Sequence, residues 1–207
     1  MLMHNGRLAL ATDPYYRALA EAIKANKANQ TDTSFEEMTR AEFMGSLYYL
    51  PDGVGPCWPS DNLHTALKKA GAKRKKTGGR GTLKNSVASA IMFDIEMNPL
   101  TYKGSGAGTA PRDAEDLWKD PYFRLIKPVR IGASKVPRCR PLFHAWRFAV
   151  TGLLDTEILD SADFKAVVTI AGQIVGLGDW RPEKGGSYGK FTAEVTELGE
   201  YDPANPT

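Results

Sequence analysis

Residues 175–191 concentrate the side chains best suited to handling a ligand. Five glycines (Gly176, Gly178, Gly185, Gly186, Gly189) alternate with Arg181, Lys184 and Lys190, with Ser187, and with the aromatics Trp180 and Tyr188. Glycines permit positive φ and let bare backbone N–H groups approach a ligand. Arginine and lysine match phosphate, and flat rings give a nucleobase a face on which to stack. The same composition also makes an ordinary helix-to-strand turn, and this stretch alone leaves both readings open.

A second concentration lies upstream. Lys68, Lys69, Lys73, Arg74, Lys75, Lys76, Arg80 and Lys84 are eight basic residues with no acid among them. Gly71, Gly78, Gly79 and Gly81 loosen the segment. Like charges unrelieved by carboxylates repel one another, and such a block is commonly a polyanion site; a solvated surface loop is the plainer alternative. Arg138, Arg140 and Arg147 would lie on or beside a sheet, and His4, Asn5 and Arg7 lie near the first predicted strand. The net charge is only +3, so the distribution of charge, and not its total, points to nucleic acid.

At 207 residues the chain is long enough to bury a core without disulfide or metal staples. Cys57 and Cys139 are far apart and form no paired motif, which fits a reducing compartment and offers no zinc site. The opening residues lack a charged segment followed by an apolar one, and no apolar run approaches membrane-spanning length. The expectation is a cytoplasmic protein with no membrane partner and no cofactor.

The elements that must position these groups are read from periodicity. A first strand is expected within residues 1–10, then a helix capped by Asp13 and started by Pro14. A second helix begins near Thr33 or Ser34, with an apolar stripe of Phe35, Met38, Glu42 and Phe43. Residues 50–59 read as a loop. A third helix starts at Ser60, with Leu63, Ala66, Leu67 and Ala70 on one face. Strands are expected at residues 87–96, 128–133 and 136–140, and above all at 142–151, where alternation is strictest. A short helix is expected at 113–118. Asp160 or Ser161 caps the cleanest helix (Phe164, Val167, Val168, Ala171, Ile174, Val175), which stops at Gly176. A last strand is expected at 191–196. The order predicts an α+β fold: a ferredoxin-like or RRM-like antiparallel sheet with helices on one face and loop insertions. It is read as one domain over residues 1–198, with a basic insertion at about 68–86, a flexible loop at about 98–111 and a frayed tail from 199.

The succession of apolar helix, Gly176, Gly178, Ser187, Tyr188, Gly189, Lys190, Phe191 and strand resembles the C-terminal glycine-rich loop of the RAMP superfamily, the RRM-fold proteins of CRISPR systems. Trp58-Pro59-Ser60-Asp61-Asn62-Leu63 is similar to the element before the first long helix of crRNA-binding backbone subunits, although Asp61-Asn62 stand where that family prefers small hydroxyl residues. The whole chain also looks like stand-alone proteins of this type carried by phages and prophages, and this resemblance implies a bacterial host cell.

The resemblance implies binding of single-stranded RNA or DNA, with copies of the protein assembled side by side along the strand. It implies contacts from Ser60, the basic block and the glycine-rich loop. It also admits a metal-independent endoribonuclease, or a phage factor that mimics a CRISPR subunit and joins other CRISPR-like or phage proteins. Of the only histidines, His4 is the best acid–base candidate, whereas His64 and His144 read as surface and core. Asp13 reads as a helix cap. No paired-carboxylate or His-x-x-His spacing supports catalysis, so the expectation is binding without catalytic residues.

Overall fold

The computed structural model describes residues 1–106 and 108–201. Ala107, inside the expected 98–111 loop, and the expected tail from residue 202 onward lie outside them. The chain is α+β, with several helices and small antiparallel sheets of three, two and two strands. It falls into two compact units, each built from two separated stretches. One is Met1–Trp58 with Pro99–Phe148; the other is Pro59–Asn98 with the described chain from Ala149 onward.

In the first unit, α1 (Pro14–Ala28) packs on α2 (Asp32–Ser46). The Asp13 carboxylate accepts from the Tyr15 N–H at 2.8 Å, the cap that the sequence predicts. α2 starts one or two residues earlier than expected, because Thr31 and Ser34 form a reciprocal capping box. The expected loop at 50–59 holds a short hairpin of β1 (Tyr49–Leu50) and β2 (Gly55–Pro59). The core gathers Leu2, Phe43, Leu117, Phe123 and Phe143, all fully buried. α5 (Ala114–Lys119) is the expected short helix, capped by Asp113.

The longest strands of the chain, β5 (Arg124–Ile131) and β6 (Ser134–Pro141), form one hairpin where two strands were expected. Its two-residue turn has Gly132 at φ 60°. That turn makes Ile131 and Ser134 a hydrogen-bonded pair, so every second pair inward points its N–H groups outward. On β6 those outward positions are Lys135, Pro137, Cys139 and Pro141. The prolines have no N–H, and the Cys139 N–H donates to Glu42 Oε2 of α2 at 2.8 Å. Glu42 is 3% exposed, and its Oε1 also receives Arg140 at 2.6 Å and Arg138 at 3.2 Å. One buried carboxylate therefore docks the ribbon on the helix.

Three expected strands take other forms. In residues 1–10 only Leu2 bridges, to Leu142, and Gly6–Ala9 is a 3-10 turn capped by the Asn5 side chain. Residues 142–151 are irregular despite their alternation. Leu142 and Phe143 are neighbours and both buried, which an extended strand would place on opposite faces, and Ala145 adopts φ 43°. Residues 191–196 form no ladder among the described residues.

In the second unit, α3 (Ser60–Gly71) packs on α4 (Lys84–Ala90) and α6 (Ser161–Ile170). The predicted strand at 87–96 begins as α4, because Val87 and Ala90 turn to the α3 side at helical spacing; a Cβ on Gly71 would press on Val87. Only β3 (Ile91–Phe93) is strand, paired with β7 (Gly152–Leu154). β4 (Met97–Pro99) follows. α6 carries the expected Asp160 cap and ends in a π-turn, Ala171–Val175, stopped by Gly176 at φ 73°.

Burial pushes the Cys139 thiol up to about 12, aided by the Glu42 charge, and the Cys57 thiol up to about 11, so both are poor nucleophiles. Glu42→Ala strands two arginines and an N–H without their acceptor. It is expected to cost about 3–5 kcal/mol in urea unfolding, whereas a loss below about 1 kcal/mol would show that the ribbon is held by other contacts.

Candidate nucleic-acid interface

The basic block and the glycine-rich loop both belong to the second unit. The block is less loose than its glycines suggest. Beyond α3 the chain folds back on itself: Lys75 bridges Thr82, the Lys76 N–H donates to Gly81 O at 2.9 Å, and the Leu83 N–H donates to Arg74 O at 3.0 Å. Leu83 is buried and anchors the return. The result is a closed arm with its tip at residues 77–80.

Carboxylates from distant sequence meet two of the eight cations. Arg74 binds Asp163 of α6 at 2.6 Å, and Lys69 binds Glu183 of the glycine-rich loop at 2.8 Å. The expectation of a block without acids therefore holds along the sequence but not in space. Glu183 also receives Arg181 at 2.9 Å, and Arg181 donates to Gly178 O at 2.9 Å. Lys73, Lys75, Lys76, Arg80 and Lys84 are exposed and take part in no ion pair among the described residues. Lys68 is half-buried in the last turn of α3, where a cation suits the helix dipole.

The glycine-rich loop is closed by its own backbone. The Leu177 N–H donates to Gly189 O (2.9 Å), the Gly186 N–H to Arg181 O (3.1 Å), the Tyr188 N–H to Trp180 O (3.1 Å) and the Phe191 N–H to Gly172 O (3.1 Å). A Cβ on Gly186 would overlap the Trp180 carbonyl, and one on Gly189 the Leu177 carbonyl. These glycines thus let the chain pass over itself, and the donors just named are not open to phosphate. What the loop presents instead is side chains. Trp180 and Tyr188 lie half-buried with ring centroids 6.4 Å apart and planes 24° apart. Trp180 is held at φ 48°, which a non-glycine residue adopts at a cost. Lys184, Ser187 and Lys190 are exposed.

The other expected contacts have structural tasks. The Ser60 hydroxyl donates to Ile95 O at 2.6 Å and accepts from Asn98 at 2.8 Å, buried. Arg7 donates to the Met44, Gly45 and Leu47 carbonyls at the end of α2 and lies 3.7 Å from the Tyr15 ring centroid. Asn5 caps its own turn, and Arg138 and Arg140 bind Glu42. Arg147 is exposed in an irregular segment bridged to Thr101. His4 is exposed, His144 lies against Tyr122 at 4.4 Å, and His64 meets the Phe93 ring edge-on at 6.2 Å. The carboxylates Glu42, Asp163 and Glu183 are the residues that sequence reading passed over. Glu42 left a trace as an acid within an apolar stripe; Asp163 and Glu183 left none.

No protein-family model, curated protein or solved structure matches this chain.

Burial works to raise the Glu183 pKa, but hydrogen bonds and charge from Lys69 and Arg181 outweigh it and hold the carboxyl below its usual range. A depressed carboxylate stabilises the fold above its unfolded pKa and loses that contribution as pH falls through the folded one. Glu183→Gln should therefore lower the melting temperature at pH 7, with a deficit that shrinks as pH falls through the carboxyl's folded pKa; a deficit that does not change with pH would remove the ionic account. Gly189→Ala combines φ 74° with a carbonyl overlap. It is expected to destabilise the protein by about 1–3 kcal/mol in chemical denaturation, and a neutral outcome would mean the loop is not closed in this way.

Proposed function

We propose that the chain is a non-catalytic binder of single-stranded nucleic acid, RNA or DNA, that holds the phosphate backbone with the arm of its second unit. The observation carrying this reading is the set of five exposed cations with no carboxylate partner among the described residues, on an arm whose root is tied to the glycine-rich loop through Lys69 and Glu183. A solvated loop gains nothing from that density of like charge, whereas a polyanion relieves it and releases counterions. Trp180 and Tyr188 add ring faces within the same loop, worth about 1–3 kcal/mol per stacked base.

Side-by-side assembly along the strand, in the manner of CRISPR backbone subunits, rests on the resemblance in residues 58–63 and 176–191 and on no contact within this chain. No described helix is long and apolar enough to cross a membrane.

If all five cations each neutralise a phosphate, the affinity for a single strand should fall with log salt at a slope of about −3.5, five times the single-strand value of about 0.7. Fluorescence anisotropy with a labelled strand of ~30 nucleotides measures it. The variant Lys73→Glu/Lys75→Glu/Lys76→Glu should lower that slope by about 2, and equally for every sequence. The RNA should remain intact throughout. An unchanged slope, or cleavage abolished by His4→Ala, would defeat the proposal.

A further inference from the structure

The two-stranded sheet of the second unit, β3 with β7, is bordered by charge of the sign opposite to that of the arm. Residues 85–98 and 149–164 hold six acids (Asp94, Glu96, Asp155, Glu157, Asp160, Asp163) and no base. Asp160 caps α6, and Asp163 is taken by Arg74. Asp94 and Glu96 follow β3, and Asp155 and Glu157 follow β7. These four are exposed and in no ion pair among the described residues. Asp155 Oδ1 accepts from the Glu157 and Ile158 N–H groups of its own turn at 3.0 and 3.3 Å, which leaves its charge in place.

The register sets these charges around an apolar pair. Met92 stands directly opposite Leu153. The same register continues past the ladder, where the Asp94 N–H donates to Thr151 O at 3.1 Å and the Asp155 N–H to Ala90 O at 2.8 Å. Asp94 and Asp155 each lie two residues from that pair, one on each strand, so they flank it at the two ends of one face. Met92 is 62% exposed and Leu153 half-buried, whereas Phe93 turns to the other face and meets His64 of α3. An apolar centre with a charged rim suits a protein partner. The sign of the rim repels phosphate and favours cations.

The edge of β7 adds main-chain groups to this face. The bonds just given make Asp94–Thr151, Met92–Leu153 and Ala90–Asp155 the hydrogen-bonded pairs. Gly152 and Leu154 fall between them, so their N–H and C=O groups point away from β3, and they take part in no hydrogen bond among the described residues. Gly152 is exposed and puts no side chain over that edge. β7 has neither the proline nor the lysine that commonly guards an edge against a further strand.

We propose that the edge of β7 binds an extended segment of a partner protein by strand addition, reading the pattern basic–x–apolar–x–basic. In an added strand the side chain opposite Leu153 shares the face of Met92, about 5 Å from Leu153. The side chains two positions to either side share that face as well, and they extend toward Asp155 at one end and toward Asp94 at the other. Main-chain bonds to Gly152 and Leu154 supply affinity, and the acids select the charge. The proposal does not rest on the single-strand reading of the arm.

The test uses the full chain and fluorescence anisotropy at low salt, with a capped, labelled heptapeptide in which threonines alternate with lysine, leucine and lysine. This peptide should bind, and its counterpart with glutamate for lysine should not. In an antiparallel addition the two threonines beside the leucine turn their N–H groups to β7, and the leucine turns its own away. N-methylation of those threonines should therefore abolish binding, while N-methylation of the leucine leaves it. Asp94→Asn/Asp155→Asn/Glu157→Gln retains the acceptor of the Asp155 turn and should weaken the peptide about tenfold while the protein still melts cooperatively. Met92→Thr, at an exposed strand position, should weaken it about threefold. The acid variant should leave the single-strand salt slope unchanged. The arm variant Lys73→Glu/Lys75→Glu/Lys76→Glu should leave peptide affinity unchanged, so the two proposals fail separately. No binding at low salt, equal effects of the two methylation patterns, or full affinity in the acid variant would overturn the assignment.

Discussion

Two carboxylates, Asp163 and Glu183, make the cationic arm possible. Eight like charges within 17 residues would splay a loop this rich in glycine. Asp163, set in the first turn of α6, takes Arg74, and Glu183 takes Lys69 together with Arg181. The root of the arm is thereby neutralised and fixed to elements that bury Val167, Ala171, Val175 and Leu177. Of the charges left over, Lys73, Lys75, Lys76, Arg80 and Lys84 face solvent, and Lys68 stays half-buried at the end of α3. The same Glu183 contact gives the glycine-rich loop a task in placing cations, even though its backbone donors are mostly used within the loop.

The first unit solves a similar problem with a buried acid. Glu42 accepts from two arginines and one backbone N–H, and thereby fixes where a hairpin meets a helix. Replacing such a set by apolar groups of the same shape often costs little, so its value lies more in specifying the docking position than in net stability. Next to the turn, Arg130 faces Lys135 across the ribbon, and neither forms an ion pair among the described residues. Folding stability and charge display therefore pull against each other in both units, and in each the acids sit where the charged segment joins its support.

Helices whose ends carry chemical signals were legible in the sequence. Asp13-Pro14, Asp113 and Asp160 each bring a side chain to a free N–H two or three residues on, and Gly176 supplies the positive φ that stops α6. The strands at 128–133 and 136–140 were legible, although the first was read through the turn at Gly132, and of 87–96 only Ile91–Phe93 is strand. The strict alternation at 142–151 misled, because alternation reports which side chains are apolar and not whether a partner strand is within reach. The site divided in the same way. Exposed lysines could be read as exposed from their density alone. Arg7, Arg138 and Arg140 could not be distinguished from them, since their acceptors are carbonyls and a carboxylate some 37 to 98 residues away. Ser60 looked like a contact residue, yet its hydroxyl is spent between Ile95 and Asn98.

The central claim concerns which part of the surface meets a single strand. Photocrosslinking of the full chain to a thiouridine-bearing strand, followed by peptide mapping, addresses it directly. The account expects adducts on peptides spanning residues 73–84 and on the aromatics of the glycine-rich loop, Trp180 and Tyr188. Adducts confined to the β5–β6 ribbon, or spread evenly over the chain, would contradict it.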